Sequence, residues 1–324
     1  MTDKILEVQG LKKSYNGFVA VDEIDFEIKR AEIFGFLGPN GAGKTTTINM
    51  LIGMAKVTSG NILYKGTDLT NNIKKAQELI GVVADESNLY DEMSGFDNLC
   101  FCGALYGLTK KEREKKAHQL LELFQLKEAA SKKYKAYSKG MKRKLTIAAA
   151  LIHNPEILFL DEPTTGIDVA SVRQIRNLIK ELNKKGTTIF LTTHYIEEAE
   201  RLCHRVAFIH KGKIIKNDSV DNLIADSHTI NGVEIRFEPV NEKRNQLMQN
   251  LKNQFPGFEC MQVNDNTIKI TSESTIDIAP VVSVLSNEGL FIYEARLLKP
   301  SLEDAFVKAT GIEIDILKKE KEKK

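Results

Sequence analysis

The chain contains no tryptophan, only four cysteines among its 324 residues, and no long apolar run. Its longest apolar stretches lie at 145–152 and 157–160, far below the ~20 residues that a membrane-spanning helix requires. The N-terminal segment MTDKILEVQG carries charged and polar residues where a signal peptide would carry an apolar run. The sequence therefore predicts a chain that neither crosses a bilayer nor carries a secretory leader.

The cysteines and the charge balance exclude further classes. Cys100, Cys102, Cys203 and Cys260 have neither the spacing of a zinc site nor the density of a disulfide-bonded domain, and such sparse thiols are typical of a reducing cytoplasm. The formal net charge is only +2, so no strong positive field favours nucleic acid as a partner. We expect no nucleic-acid partner, and the length of 324 residues predicts two domains.

A glycine-rich loop, GPNGAGKTT, follows the apolar run at 33–38 and precedes a helix-forming stretch. Gly38 and Gly43 stand where the backbone must turn tightly and present successive N–H groups to phosphate oxygens, which a side chain would obstruct. Lys44 would supply a point charge for the β and γ phosphates, and the Thr45 hydroxyl would be a ligand for Mg²⁺. Strand, loop and helix in this order predict a nucleotide phosphate site.

The pattern around this loop predicts a mixed sheet structure. Residues 1 to about 30 alternate apolar and polar, which predicts a layer of antiparallel strands. The apolar runs at 157–163 and 187–194 flank a helical pattern, which predicts a parallel sheet wrapped by helices. Helical periodicity alone, at about 87–152, indicates a helical insertion. We assign these elements to a nucleotide-binding domain of residues 1–217.

The last third of the chain has a different pattern. A hairpin at 205–218 closes the first domain, and residues 218–311 then alternate in the order β, α, β, β, α, β, with the first of these helices at 241–255. The tail at 312–324, which ends in KKEKEKK, is predicted to be a solvated end. The predicted fold class is α/β: a P-loop nucleotide hydrolase core with an antiparallel β layer and a helical insertion, followed by a small α+β (ferredoxin-like) C-terminal domain.

Polar side chains stand at the ends of two apolar strands. Asp161 and Glu162 end the run ILFLDEP, and His194 ends TTIFLTTH. The carboxyl ends of parallel strands meet at the edge of the sheet where ligands bind. Alone, such residues are typical of helix caps and structural positions. Beside a phosphate loop, Asp161 is placed to hold Mg²⁺ through water, Glu162 to polarise the attacking water, and His194 to contact the γ phosphate or the water.

The stretch YSKGM at 137–141 looks like a second anion site. Ser138 is a good N-cap, Gly140 permits close approach, and the helix that follows directs its free N–H groups and positive dipole end forward. Alone it would be a plain capped helix. Since the first loop already holds the phosphates, we interpret this second site as one that covers the ATP of another copy, which predicts a symmetric dimer with two shared sites.

The ordered set GPNGAGKTT, YSKGM, ILFLDEPTTGID and LTTH resembles the nucleotide-binding subunit of ATP-binding cassette (ABC) transporters over about residues 4–217. The later segment PSLEDAFVKATG is similar to the C-terminal segment of the branch that includes drug-resistance and sodium-export ATPases. Proteins of that branch pair with separate membrane permeases and are mostly exporters. The resemblance implies ATP and Mg²⁺ as ligands, and a dimer of two copies or with a similar ATPase.

The resemblance also implies roles for individual residues. Tyr15 matches the aromatic residue that stacks on adenine, although an isolated tyrosine there could equally be packing. Asp168 matches the loop that crosses the dimer contact, while Asp161, Glu162 and His194 match the metal-holding acid, the base and the switch histidine. The remaining matches are the phosphate loop, at Asn40, Gly41, Gly43, Lys44, Thr45 and Thr46, and the signature motif that reaches the partner's ATP, at Ser138, Lys139, Gly140 and Met141.

The sequence departs from the family pattern in two motifs. The family signature usually reads Leu-Ser-Gly-Gly-Gln, and here Tyr137, Lys139 and Met141 replace three of its residues. The glutamine that ligates Mg²⁺ and senses the permease is replaced by Asp85, which can hold a hard cation but is shorter and charged. These changes bear on how hydrolysis couples to the permease rather than on ATP binding.

The sequence thus predicts a cytoplasmic ATPase subunit, peripheral on the inner face of the cell membrane, that powers a separate permease. A soluble cassette ATPase acting on ribosomes or DNA is the alternative, although the second cassette, long coiled coil or zinc cysteines usual in that class are missing. A small-molecule kinase with the same loop would need neither YSKGM nor a dimer.

Overall fold

The computed structural model divides the chain into two compact units, Met1–Val220 with Phe306–Lys324, and Asp221–Ala305. No helix within the described residues is long and apolar enough to cross a membrane. The predicted helix at 241–255 lies largely outside the described residues, as does the tail beyond residue 312. The residues described are 3–85, 89–227, 231–238, 251, 253–272, 274–298 and 300–312.

The strands and helices of the described residues follow one another along the chain as given below. The strands are β1 (Lys4–Tyr15), β2 (Phe18–Lys29), β3 (Ile33–Leu37), β4 (Ser59–Tyr64), β5 (Thr67–Asp68), β6 (Ile80–Val83), β7 (Ile157–Asp161), β8 (Thr188–Thr193), β9 (Arg205–His210), β10 (Lys213–Ser219), β11 (Asn231–Phe237), β12 (Glu259–Asn264), β13 (Thr267–Ser272) and β14 (Ile292–Leu298). The α-helices are α1 (Lys44–Leu51), α2 (Gly95–Leu105), α3 (Lys110–Leu123), α4 (Lys139–Ala150), α5 (Val169–Lys184), α6 (Ile196–Leu202), α7 (Val220–Ser227), α8 (Ile278–Asn287) and α9 (Leu302–Thr310). Short 3₁₀ helices lie at Ile73–Ala76, Lys127–Ala129 and Tyr134–Ala136.

The predicted antiparallel layer is confirmed. It is a sheet of four strands in the order β2-β1-β4-β5, in which β1 pairs with both β2 and β4 in antiparallel register. Alternate side chains of β1 and β2, such as Val8 and Ile28, are buried, because one face of the layer packs on the core.

The second sheet carries the functional loops. Its order is β10-β9-β3-β8-β7-β6, parallel from β9 to β6, with the predicted β9–β10 hairpin at one edge. Every residue of β3, β7 and β8 is buried, as expected for central strands covered on both faces. The register aligns Leu37 with Thr193 and Asp161 with Thr192, so the loops that follow these strands start at the same edge of the sheet.

The helical insertion is confirmed, and the strands of the second unit have the order that a ferredoxin-like unit requires, while the predicted helix between its first two strands lies largely outside the described residues. Helices α2, α3 and α4 occupy the segment between β6 and β7, and Ser138 caps α4 by accepting a hydrogen bond from the Met141 N–H. In the second unit the antiparallel sheet has the order β12-β13-β11-β14, so that each crossover passes one intervening strand. Val233, Ile235 and Val281 lie in the core of this unit.

The end of the chain differs from the predicted domain division. The sequence predicts a C-terminal domain that runs from 218 to 311, whereas Phe306 and the described residues after it, up to Ile312, group with the first unit. The reason is local packing: the Phe306 ring is fully buried and lies edge-on against Phe208 of β9, with 5.2 Å between the ring centroids.

Candidate active site

The loop between β3 and α1 has a backbone that only glycine permits at two points. Gly43, at φ 108°, is the N-cap of α1, and a Cβ there would lie 2.7 Å from the Ala20 carbonyl oxygen. A Cβ at Gly38 would overlap the Ile209 carbonyl oxygen. The first turn of α1 carries no acidic side chain. Its free N–H groups and positive dipole end are therefore available to an anion in the loop.

Lys44 is a buried cation held by its own loop. Its side chain is 6% exposed, and its Nζ donates hydrogen bonds to the carbonyl oxygens of Gly38 at 2.8 Å and Pro39 at 3.1 Å. The same nitrogen lies 3.6 Å from Oε1 of Glu162. A buried charge needs such partners, and these fix the ammonium group beside the loop.

Asp161 joins the loop to the neighbouring strand. Its Oδ2 accepts a hydrogen bond from the Thr45 hydroxyl at 3.0 Å, and its Oδ1 accepts one from the Thr192 hydroxyl. The sequence predicted Thr45 and Asp161 as metal ligands, and the structure brings their oxygens together. Within the described part of the chain, no three acidic, histidine or cysteine side chains gather as a metal cage. A Mg²⁺ ion here would therefore take its remaining ligands from phosphate and water, as Mg²⁺ commonly does.

Glu162 has a strained backbone and a strongly perturbed carboxyl group. Its φ is +44°, and its N–H donates to the carbonyl and hydroxyl oxygens of Thr192, each at 3.2 Å. Its Oε1 lies 3.1 Å from Nδ1 of His194, and its Oε2 accepts from the Thr165 hydroxyl at 3.0 Å. Burial alone would raise the pKa of Glu162. The interactions with His194, Lys44 and Thr165 outweigh this effect and lower the pKa to about 2. The carboxylate is therefore ionised at neutral pH, the form that a general base requires.

His194 is buried next to this carboxylate and is 4% exposed. Its Nδ1 faces Glu162 at ion-pair distance, but the angle is not that of a hydrogen bond. The ring also packs against Tyr195, with 4.0 Å between ring centroids.

A pocket of about 340 Å³ opens in front of these groups. Its wall contains residues of the phosphate loop together with both carboxylates and Asp85. It also includes Phe18, which the sequence reasoning missed. A signal was present in the sequence: the Asn16-Gly17 turn brings Phe18 opposite Tyr15. Tyr15 is outside the wall, with the Lys13 ammonium 4.5 Å from its ring, so its contact with adenine stays a prediction. The wall is formed by Phe18, Ala20, Asn40, Gly41, Gly43, Lys44, Thr45, Thr46, Asp85, Asp161 and Glu162.

Arg143 of α4 holds Asp85 at the rim of this pocket. The guanidinium is 6% exposed and donates to the carbonyl oxygens of Ala84 at 2.6 Å and Asp85 at 2.5 Å, and it lies 3.7 Å from the Asp85 carboxylate. Burial lowers the pKa of Arg143, and Asp85 opposes that shift. The sequence reasoning missed Arg143, because nothing in the basic run KRK indicates which of its three side chains is buried.

The remaining predicted residues form a second cluster, which does not line the pocket. It lies where the N-termini of α4 and α5 meet. Asp168 caps α5 by accepting from the Ser171 N–H at 2.9 Å, and its Oδ2 would lie 3.7 Å from a Cβ on Gly140. The structure thus places two separate groups of predicted residues on one chain, and the second comprises Ser138, Lys139, Gly140, Met141 and Asp168.

Comparisons with known proteins agree with this geometry. The family pattern described as "ABC transporter" matches residues 21–165. The linearmycin resistance ATP-binding protein LnrL of Bacillus subtilis (strain 168) is 36% identical, with 95% of this chain and 98% of the relative covered. The Nod factor export ATP-binding protein I of Cupriavidus metallidurans is 34% identical, over 96% of this chain and 98% of the relative.

A solved structure is similar over about two thirds of the chain. It is the ATP-binding cassette MJ0796, described as a dimer in a post-hydrolysis state bound to ADP and Pi. The TM-score is 0.61 at 25% identity, over 66% of this chain and 98% of the cassette.

Proposed function

The chain belongs to the ABC transporter family as an ATP-binding subunit with ATPase activity, and from this premise we propose that it dimerises around two Mg·ATP and powers a separate membrane permease, as part of an exporter. The observation that carries the proposal is the set of groups at one sheet edge. A buried lysine and two strand-end carboxylates line one cavity together with a glycine-rich loop, and the His194 imidazole lies 3.1 Å from one of these carboxylates.

The phosphate loop binds ATP in this proposal. The N–H groups of Asn40 to Thr46 and the Lys44 ammonium would face the β and γ phosphates. The loop carbonyls and Glu162 that now surround Lys44 hold it within reach of an incoming phosphate. Tyr15, beside Phe18 at the mouth of the pocket, is the residue we assign to the adenine ring.

Mg²⁺ fits the oxygen atoms in this pocket. Thr45 and Asp161 already share a hydrogen bond, and Asp85 lies on the same wall. We assign these three residues to the ion, Asp161 and Asp85 directly or through water. When bound, Mg²⁺ would neutralise charge on the β and γ phosphates.

Glu162 and His194 are the residues that we assign to hydrolysis. Ionised Glu162 accepts a proton from the water whose oxygen attacks the γ phosphorus, and the bond to the bridging β–γ oxygen breaks to give ADP and phosphate. His194, 3.1 Å from Glu162, donates to the γ phosphate or holds the water in line. The low pKa of Glu162 keeps its carboxylate ionised, the protonation state in which it can accept a proton from water.

In the proposed dimer, the second cluster would contact the ATP bound by the partner. Ser138, Gly140 and Asp168 do not line the pocket of their own chain, and α4 has a capped N-terminus without acidic residues in its first turn. In a symmetric dimer this helix start would cover the ATP of the partner, whether a second copy or a similar ATPase. The dimeric cassette described above supports this arrangement.

A permease would dock on the helical insertion, at the cytoplasmic face of the membrane. Tyr90 and Phe101 contact edge-on, and with Leu105 and Tyr106 they expose apolar surface close to the Asp85 segment. Such a patch fits an apolar helix of a partner. The resistance and export functions named for the two relatives favour outward transport.

The test is a mild-detergent pull-down of the tagged protein from its native membranes, followed by mass spectrometry. We expect a polytopic membrane protein to be recovered. Leu105→Asp should lose it while ATPase activity is kept, whereas Tyr293→Asp, an equally exposed site in the second unit, should retain it. Recovery of only ribosomal or DNA-bound proteins would overturn the transporter proposal and favour the soluble ATPase.

A further inference from the structure

Glu198 of α6 is a buried carboxylate that the proposed chemistry does not use. It is 0% exposed, and its two oxygens have different partners. Oε1 accepts from the Thr164 hydroxyl at 2.6 Å, and Oε2 accepts from the Thr193 hydroxyl at 2.9 Å. Nε of Arg176, on α5, lies 4.0 Å from Oε1. One carboxylate therefore links the ends of β7 and β8 with helix α5.

Both threonines stand next to active-site groups along the chain. Thr193 directly precedes His194, and Thr164 lies in the loop that begins at Glu162. The next residue of this loop, Thr165, donates to Oε2 of Glu162 at 3.0 Å. Any shift of Thr164 or Thr193 would therefore be transmitted through one or two peptide units to Glu162 or His194.

The loop needs such a restraint because Glu162 has a positive φ of 44°. A non-glycine residue in this region costs on the order of 1–3 kcal/mol and persists only where its surroundings hold it. Burial raises the pKa of Glu198, while the two hydroxyl groups and Arg176 oppose that shift. An apolar residue would fill the space without this desolvation cost, so what the carboxylate adds is the pair of directed hydrogen bonds.

We propose that Glu198 is a positioning residue for ATP hydrolysis, whose buried carboxylate holds Thr164 and Thr193 and so fixes Glu162 relative to His194. The proposal rests on the hydrolytic roles proposed above for Glu162 and His194. It assigns Glu198 no contact with ATP. Its loss should therefore change turnover rather than nucleotide affinity.

The experiment measures steady-state hydrolysis of Mg·ATP by the full-length protein, together with thermal unfolding, for Glu198→Ala and Glu198→Gln. We expect Glu198→Ala to lower kcat by about 10- to 100-fold, because a displacement of about 1 Å can change a rate that much. The KM for ATP should stay within about twofold, because the Glu198 carboxylate bonds to the hydroxyls of Thr164 and Thr193 and not to the Gly38 and Pro39 carbonyls that hold Lys44. Glu198→Gln, which keeps the shape and can pair with both hydroxyls, should restore most of kcat.

Glu32→Ala is the matched control. Glu32 is also buried, but it precedes β3 at the opposite end of the same sheet, where it accepts from the Lys29 N–H at 2.8 Å and lies 3.4 Å from Nη1 of Arg205. It should lower the unfolding temperature and leave kcat unchanged below that temperature. If Glu198→Ala behaves in the same way, with native kcat, the proposal is overturned.

Two further variants keep the proposal testable if Glu198→Ala does not fold. Thr164→Val and Thr193→Val each remove one hydroxyl group while preserving shape, and each should lower kcat with KM unchanged. Native kcat in the double variant would also overturn the proposal. Glu162→Gln, measured in parallel, separates the two hypotheses: near-native turnover in that variant refutes the proposed base, whatever the Glu198 variants do.

Discussion

Gly140 at the start of α4 lies directly against Ser171 in the first turn of α5: a Cβ on Gly140 would be 2.6 Å from the Ser171 Cβ and would overlap its Oγ. Sequence reasoning assigned this glycine to close approach of a partner's nucleotide. The structure shows that close approach is already required within one chain, because two helix N-termini meet there. Both requirements are compatible, and they can be separated by experiment.

Gly140→Ala should destabilise the monomer by about 1–3 kcal/mol, the usual cost of overpacking. Helix propensity alone predicts the opposite sign, since alanine favours a helix over glycine. Ser171→Gly removes both overlapping atoms, so Gly140→Ala with Ser171→Gly should be more stable than the two single changes predict. Urea unfolding of all four proteins, treated as a double-mutant cycle, measures this coupling. Additive effects would show that the α4–α5 contact does not require glycine.

Glu162→Gln should retain ATP binding and lose hydrolysis. The change removes the ionised carboxylate that faces Lys44 and His194, so nucleotide affinity should be unchanged or higher, while kcat falls by about 10²- to 10⁴-fold with the loss of the base. Binding can be followed by equilibrium dialysis and turnover by phosphate release. Glu197→Gln, which changes an exposed glutamate of α6 paired with Arg201, serves as the control and should behave as the parent protein. Steady hydrolysis at the parent rate would disprove the assignment of the base.

Arg143→Met should weaken the apparent affinity of the ATPase for Mg²⁺, because Arg143 holds Asp85. Methionine fills the volume but leaves the Ala84 and Asp85 carbonyls without their donor, a loss of about 1–3 kcal/mol in unfolding free energy, and it releases the Asp85 segment from the pocket rim. The Mg²⁺ concentration at half-maximal activity should rise, as it should for Asp85→Asn.

The pair can be tested as a unit. Arg143 acts through Asp85. The double variant, Arg143→Met with Asp85→Asn, should therefore need no more Mg²⁺ for half-maximal activity than the single variant that needs more of it. Lys111→Met, an exposed change on α3, controls for the loss of a positive charge in the helical insertion. An unchanged Mg²⁺ dependence in Asp85→Asn would remove Asp85 from the set of metal ligands.

Local sequence signals predicted the elements and the strand-end residues, but not the contacts between distant segments. The run IFGFLGPNGAGKTT predicts strand, loop and helix by itself, and parallel strand ends place Asp161 near Thr45. The link from Glu198 to Thr164 depends on the turn of α6 back toward β7, which no periodicity records. The inward direction of Arg143 and the return of Phe306 to Phe208 are likewise set by tertiary packing.

The return of Phe306 determines how the second unit should be deleted. Phe208 and Phe306 are both fully buried against each other, so a truncation at about residue 222 removes the second unit together with a packing residue of the first. Such a truncation should destabilise the remaining unit by about 3–5 kcal/mol, as Phe306→Ala should in the full chain. Replacing 222–300 with a short flexible linker would keep α9 and most of this stability.

Urea unfolding of the three proteins gives the comparison, with Phe291→Ala, an exposed phenylalanine of the second unit, as the control. ATP-dependent dimerisation can then be measured on the linker variant without an unfolding defect in the nucleotide-binding unit. If the truncated and linker variants unfold at the same urea concentration, the Phe208–Phe306 contact does not support the first unit, because among the residues that the structure describes α9 is the packed element that distinguishes them.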